Sequence, residues 1–206
     1  MRNFEVVAFD CDGVMFDTIN ANMAYYNKIL EHFGRPAMTP QQLAYSHMHT
    51  ADQSIAHLFP ETKSFEAAQA YRKQMSYLPF LSCMEMEPHL KPLLAKLKPK
   101  YKTAVATNRS DTMDRIITEH GLEGYFDLIV SACDVAHPKP DPAALIRIME
   151  YFKIDSAQLL YIGDSQLDEM ATKAADAVFV AYKNESLSAK FYINSLKEME
   201  DILSVA

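Results

Sequence analysis

Cysteine is scarce in this chain. Its 206 residues include three, Cys11, Cys83 and Cys133, far apart and in apolar or loop surroundings without metal-ligand spacing. That speaks against a thiolate metal site and for a reduced, cytoplasmic compartment. Positive charge is short as well. With a formal net charge of −7, affinity cannot rest on neutralising nucleic-acid phosphates, so no nucleic-acid partner is expected and an anionic substrate must be held by local cations. No run approaches the roughly 20 apolar residues of a membrane span, and the amino terminus lacks the charged-then-apolar build of a signal peptide. A soluble protein without a membrane partner, monomeric or homodimeric, is the expectation. What is plentiful is apolar content, 49% of the residues, enough for one substantial core or a core with a small accessory domain.

The most informative stretch is Val6-Val7-Ala8-Phe9-Asp10-Cys11-Asp12-Gly13. A short, β-branched and aromatic run suits a strand buried on both faces of a parallel sheet. Asp10 then sits at the strand's carboxyl end, the edge where open α/β sheets bind ligands, and Gly13 can turn the chain back without steric cost. A calcium loop also begins Asp-x-Asp, but it needs further oxygen ligands, a closing Glu and a preceding helix, which this stretch lacks. Cys11 reads as a small buried residue between the two aspartates.

From Asp17 to about Phe80 there is no strand pattern. Met23, Tyr26, Ile29, Leu30 and Phe33 recur at helical spacing, Gly34 and Pro36 stop that helix, and Thr39-Pro40 looks like the cap of a second. Ser54–Leu58 and Ser64–Tyr77 supply further helical stretches, the last broken by Pro79, with a return to the sheet expected near Leu81–Leu90. A helix on Leu90, Leu93, Leu94 and Leu97 follows, then strands at Lys102–Thr107, Phe126–Ser131, Gln158–Ile162 and Ala177–Ala181, alternating with helices and closing on a helix near Leu196–Leu203. This alternation predicts an α/β fold, a Rossmann-like doubly wound parallel sheet. The expected domains are a catalytic core of residues 1–16 and 81–206 and an α-helical cap, 17–80, inserted after the first strand.

Three strand ends carry polar groups: Asp10 and Asp12, then Thr107 and Asn108, then Asp164 and Asp168. Lys139 comes from the proline-rich loop between. In this order the set resembles the haloacid dehalogenase-like superfamily of phosphatases, whose four motifs match Asp10-x-Asp12-Gly13, Thr107-Asn108, Lys139 and Gly163-Asp164-Ser165-x-x-Asp168. The resemblance spans nearly the whole chain. The helical insertion is similar to the small cap of the phosphoglycolate phosphatase and phosphomutase branch.

The resemblance implies a Mg²⁺ ion held by Asp10, the Asp12 backbone carbonyl and Asp164, and oxygen ligands suit that cation. An ionised Asp10 in line with phosphorus can attack it and form an aspartyl phosphate. Asp12 can protonate the departing alkoxide and later activate the water that resolves the intermediate. Lys139 and Thr107 would stabilise charge on the transferring oxygens, with Asn108 beside them, and Asp168 would orient Lys139 or a metal-bound water. The expected activity is hydrolysis of a small phosphorylated metabolite such as phosphoglycolate. The alternatives are a sugar phosphomutase and a phosphate-binding member without turnover. Phosphomutases of the β-phosphoglucomutase kind carry a cap histidine where this chain has Asn22, and Thr107-Asn108-Arg109 resembles the phosphoglycolate phosphatase group more closely.

Other candidates read two ways. Arg109 either grips a substrate anion or pairs with Asp111 or Asp114. Asn22, His47 and His49 lie in the insert and are candidates for facing the substrate. His137 belongs to its loop, and Lys183 and Asn184 read as a solvated turn.

Overall fold

A computed structural model describes residues 4–205; the outermost residues of the expected catalytic core, 1–3 and 206, lie outside it. The chain divides into two compact units, Met1–Phe16 with Met86–Ala206, and Asp17–Glu85. The sequence reading put the return to the first unit at residue 81.

The chain opens with β1 (Val6–Phe9), in which all four residues are buried. It leaves the first unit through β2 (Phe16–Asp17). Between its two end residues, which belong to short strands, the second unit's regular structure is helical: α1 (Ile19–His32), α2 (Pro40–Met48), α3 (Ala51–Leu58), α4 (Thr62–Gln74) and the single turn α5 (Leu78–Leu81). Its core gathers Tyr25, Tyr26, Ile29, Leu30, Ile55, Leu58 and Phe59. Thr39 and Thr50 each close a reciprocal capping box, with Gln42 and Gln53, at the starts of α2 and α3. Pro79 lies in the first turn of α5, where its missing N–H costs nothing.

The expected return to the main sheet at Leu81–Leu90 is not observed. The only strand there, β3 (Glu85–Met86), pairs with β2 in a separate two-stranded ladder. Beyond it come α6 (Leu90–Leu97), β4 (Lys102–Ala106), α7 (Met113–Glu119), β5 (Leu128–Val130), α8 (Ala143–Phe152), β6 (Leu159–Gly163), α9 (Gln166–Ala174), β7 (Val178–Tyr182), β8 (Phe191–Ile193) and α10 (Met199–Leu203). The edge strand β8 escapes the sequence reading because it has three residues and half-exposes Tyr192.

The six main strands run in the order β5-β4-β1-β6-β7-β8, every adjacent pair parallel. Burial on both faces explains why these strands read as continuous apolar runs. One face packs Val6, Ala8, Ala104, Ala106 and Tyr161 against Leu145 and Ile148 of α8 and Ala171 of α9. The topology then positions the site. β1 is central, with β4 on one side and β6 on the other, and Phe9 is in register with both Val105 and Ile162. The carboxyl ends of β1, β4 and β6 therefore open together at a point where strand order reverses, a crevice suited to ligands.

Candidate active site

Asp10 follows directly on β1 and is buried. Its backbone N–H donates to the Ile162 carbonyl at 2.8 Å, and its Oδ1 accepts from the Cys11 N–H at 2.7 Å. Lys139 Nζ lies 2.9 Å from the same oxygen. Burial pushes the Asp10 carboxyl up to about 7. Lys139 opposes that shift, while Asp168 and Asp12 add to it.

Lys139 is delivered by the loop after β5 and held at both its main chain and its head. Asn108 spans its peptide groups, accepting from the Lys139 N–H at 2.8 Å and donating to the Lys139 carbonyl at 3.0 Å. The ammonium donates to Asp168 Oδ1 at 2.6 Å and to the Tyr161 hydroxyl at 2.8 Å. Burial works against the ammonium, but Asp10 and Asp168 outweigh it and raise its pKa, so the lysine stays charged. Asp168, in the first turn of α9, accepts from Ser165 N–H at 3.1 Å and Ser165 Oγ at 2.5 Å. Burial raises its pKa, yet Lys139 and these hydrogen bonds prevail and hold it low.

Two glycines make room for this cluster. A Cβ on Gly163 would stand 2.4 Å from that of Asp168. Gly13, at φ +84°, faces the Asp164 carboxylate so closely that a Cβ would lie 2.1 Å from Oδ2. Asn184 Nδ2 donates to the Asp164 carbonyl at 2.8 Å, so Asn184 braces the site.

Asp10, Asp164 and Asp168 each offer a carboxylate oxygen, all within 4.8 Å of one another. One ammonium faces three acids. The excess shows at Asp164, whose pKa is raised well above the usual carboxylate range by burial, then by Asp168 and Asp10. An oxygen-only set with uncompensated negative charge fits a hard divalent cation.

Asp12 stands apart from this trio. Arg109 Nε donates to its Oδ2 at 2.9 Å and Arg109 Nη2 to its Oδ1 at 2.7 Å. Arg109 Nη1 donates to Thr112 Oγ1 at 3.0 Å, and the Arg109 N–H donates to Thr107 Oγ1 at 3.1 Å. The arginine thus pairs with Asp12 rather than with Asp111 or Asp114.

The structure brings Asp10, Asp12, Gly13, Thr107, Asn108, Arg109, Lys139, Asp164 and Asp168 to one sheet edge of the first unit. Asn22 and His47 belong to the second unit. There Asn22 is buried, accepts from the Tyr77 hydroxyl at 3.0 Å and has Nδ2 3.5 Å from His47 Nδ1. His49 stacks on Tyr45, with ring centroids 3.8 Å apart. Sequence reasoning missed Tyr161, whose hydroxyl lies 2.8 Å from Asp168 Oδ1 and 2.9 Å from the Ala106 carbonyl oxygen. A tyrosine inside an otherwise apolar strand was the available signal, since a buried phenol needs partners.

A family model described as haloacid dehalogenase-like hydrolase matches residues 7–182. Phosphoglycolate phosphatase of Chromobacterium violaceum is 26% identical over 223 residues, covering 98% of each protein. Among solved structures, a HAD-superfamily hydrolase of subfamily IA, variant 1, from Geobacter sulfurreducens has a TM-score of 0.80 at 34% identity, over 97% of this chain and 96% of that one. A β-phosphoglucomutase from Clostridium difficile has a TM-score of 0.85 at 18% identity, covering 98% of this chain and 96% of its own, a likeness of fold.

Proposed function

Since the chain belongs to the haloacid dehalogenase-like hydrolase family, we propose that it is a magnesium-dependent phosphomonoesterase, acting on a small phosphorylated metabolite of the phosphoglycolate kind through an aspartyl phosphate on Asp10. The observation that carries this reading is the buried Asp10–Lys139–Asp168 array at the carboxyl ends of β1 and β6, with Lys139 Nζ 2.9 Å from Asp10 and 2.6 Å from Asp168. The phosphoglycolate phosphatase that this chain resembles along its length supports the substrate class.

Asp10 Oδ attacks phosphorus while the bond to the leaving oxygen breaks, and Asp12 gives that oxygen its proton. Asp12 then takes a proton from water, whose oxygen attacks the phosphoryl group, frees inorganic phosphate and restores Asp10. Lys139 holds a fixed positive charge beside the transferring oxygens, and Thr107 supplies a hydroxyl there. Asp10, Asp164 and the Asp12 backbone carbonyl would hold the Mg²⁺ ion, and Asp168 would keep Lys139 aimed. Bound there, the ion neutralises phosphate charge.

Turnover of phosphoglycolate and of p-nitrophenyl phosphate with Mg²⁺, compared with Asp10→Asn, tests the reading. Hydrolysis should vanish in the variant with the fold unchanged by circular dichroism, and retained turnover overturns the nucleophile assignment. Conversion of β-glucose 1-phosphate to glucose 6-phosphate with a bisphosphate primer would instead mark a mutase.

A further inference from the structure

Arg109 and Asp12 are 97 residues apart in sequence, yet they meet through two parallel hydrogen bonds, at 2.9 Å and 2.7 Å. The pair is largely enclosed, with side-chain exposures of 8% and 13%. A guanidinium that meets a carboxylate with two N–H groups fixes its plane as well as its place, which the point charge of a lysine cannot do. A further guanidinium nitrogen, Nη1, donates to Thr112 Oγ1, and the Arg109 backbone N–H is tied to Thr107 Oγ1. Three of the five guanidinium N–H groups therefore bond to the protein, two of them to one carboxylate, an arrangement suited to holding that side chain.

We infer that Arg109 is the positioning residue for Asp12: its fork sets the direction from which the Asp12 carboxyl meets the leaving oxygen, and it does not itself grip the substrate. The inference rests on the phosphomonoesterase reading above. The fork takes one lone-pair direction on each Asp12 oxygen. A carboxylate has about four such directions, so the pair is compatible with proton transfer through another. The fork also removes rotation of the carboxyl, so little reorganisation precedes the transfer.

The test separates orientation from simple stability by varying the leaving group. An alkyl phosphate such as phosphoglycolate needs its departing oxygen protonated, whereas p-nitrophenolate leaves without help. In Arg109→Lys and Arg109→Gln, kcat/KM should fall about 100-fold on the alkyl ester, within the usual range for a general acid. On p-nitrophenyl phosphate the fall should be under about fivefold, by the same reasoning. In the Asp12→Asn background, adding Arg109→Gln should cost nothing further, because a residue acting only through Asp12 has nothing left to orient.

Added guanidinium ion should restore part of the alkyl-ester rate in Arg109→Ala. Equal losses on both esters, or a further loss in the double variant, overturn the inference. So does a rise in KM for carboxylate-bearing esters at unchanged kcat, which would make Arg109 a substrate ligand. If the parent chain hydrolyses neither ester, the phosphomonoesterase reading fails first. If the parent works and the Arg109 variants behave like it, only the positioning role falls.

Discussion

Lys139 Nζ lies 2.9 Å from Asp10 Oδ1, with both groups withdrawn from water. One buried cation therefore serves Asp10 and, on its other side, Asp168 at 2.6 Å. Breaking a buried pair from one side strands the remaining charge, at a cost of about 3–5 kcal/mol. Lys139→Met should lower the urea midpoint accordingly and reduce kcat by about 10²–10³-fold. A variant with the parental midpoint would show that the lysine carries no such burden.

Gly13→Ala puts a methyl group where the Asp164 carboxylate stands, at a backbone φ of +84° that suits glycine. Strain of this kind costs about 1–3 kcal/mol. The expected outcome is a folded protein whose Mg²⁺ affinity is at least about tenfold weaker by titration calorimetry, as when a ligand's supporting shell is disturbed. Unchanged affinity would place the cation away from Asp164.

The legible part of this molecule is local. β1, β4 and β6 announce themselves because each is an apolar run ending in a polar turn, and Asp10, Thr107 and Asp164 are read directly from those ends. The Arg109 pairing is different. Its nearby acids, Asp111 and Asp114, are obvious in sequence, whereas Asp12 becomes its partner only when β4 docks beside β1. Asn184 looked like a turn residue for the same reason, since its target, the Asp164 carbonyl, is on a neighbouring strand end. β3 was misplaced because a helical turn and a two-residue strand leave no periodicity to read.

Cation binding should depend on pH through Asp10. Its carboxyl is raised by burial from 3.8 to about 7, so in the cation-free protein it keeps its proton below neutrality. An incoming Mg²⁺ must displace that proton, and apparent affinity should weaken about tenfold per pH unit below 7 for each proton released. Calorimetry in two buffers of different ionisation enthalpy will show the release. The stability linkage has the matching sign: the contribution of Asp10 without cation is complete below pH 3.8 and is lost as pH rises through 7. Asp10→Asn should remove the Asp10 share of both effects, leaving the proton that the raised Asp164 carboxyl holds.

His120 gives a second pH signature with the opposite sign. Its Nε2 is buried with no hydrogen-bond partner among the described residues, and its ring packs against Phe16 with centroids 4.6 Å apart. Burial, then Lys91, lowers its pKa below 6.5 despite Glu119. Folding therefore favours the neutral ring, and its contribution is lost as pH falls through 6.5, where the unfolded chain takes up the proton. Between pH 7.5 and 5.5 the melting temperature of His120→Phe should fall less than that of the parent. Parallel curves would dismiss the effect.

Every group assigned to bond breaking, from Asp10 to Asp168, comes from Met1–Phe16 and Met86–Ala206, and none from the helical insert Asp17–Glu85. The charges of the proposed step can therefore be altered one at a time without touching any residue of the insert.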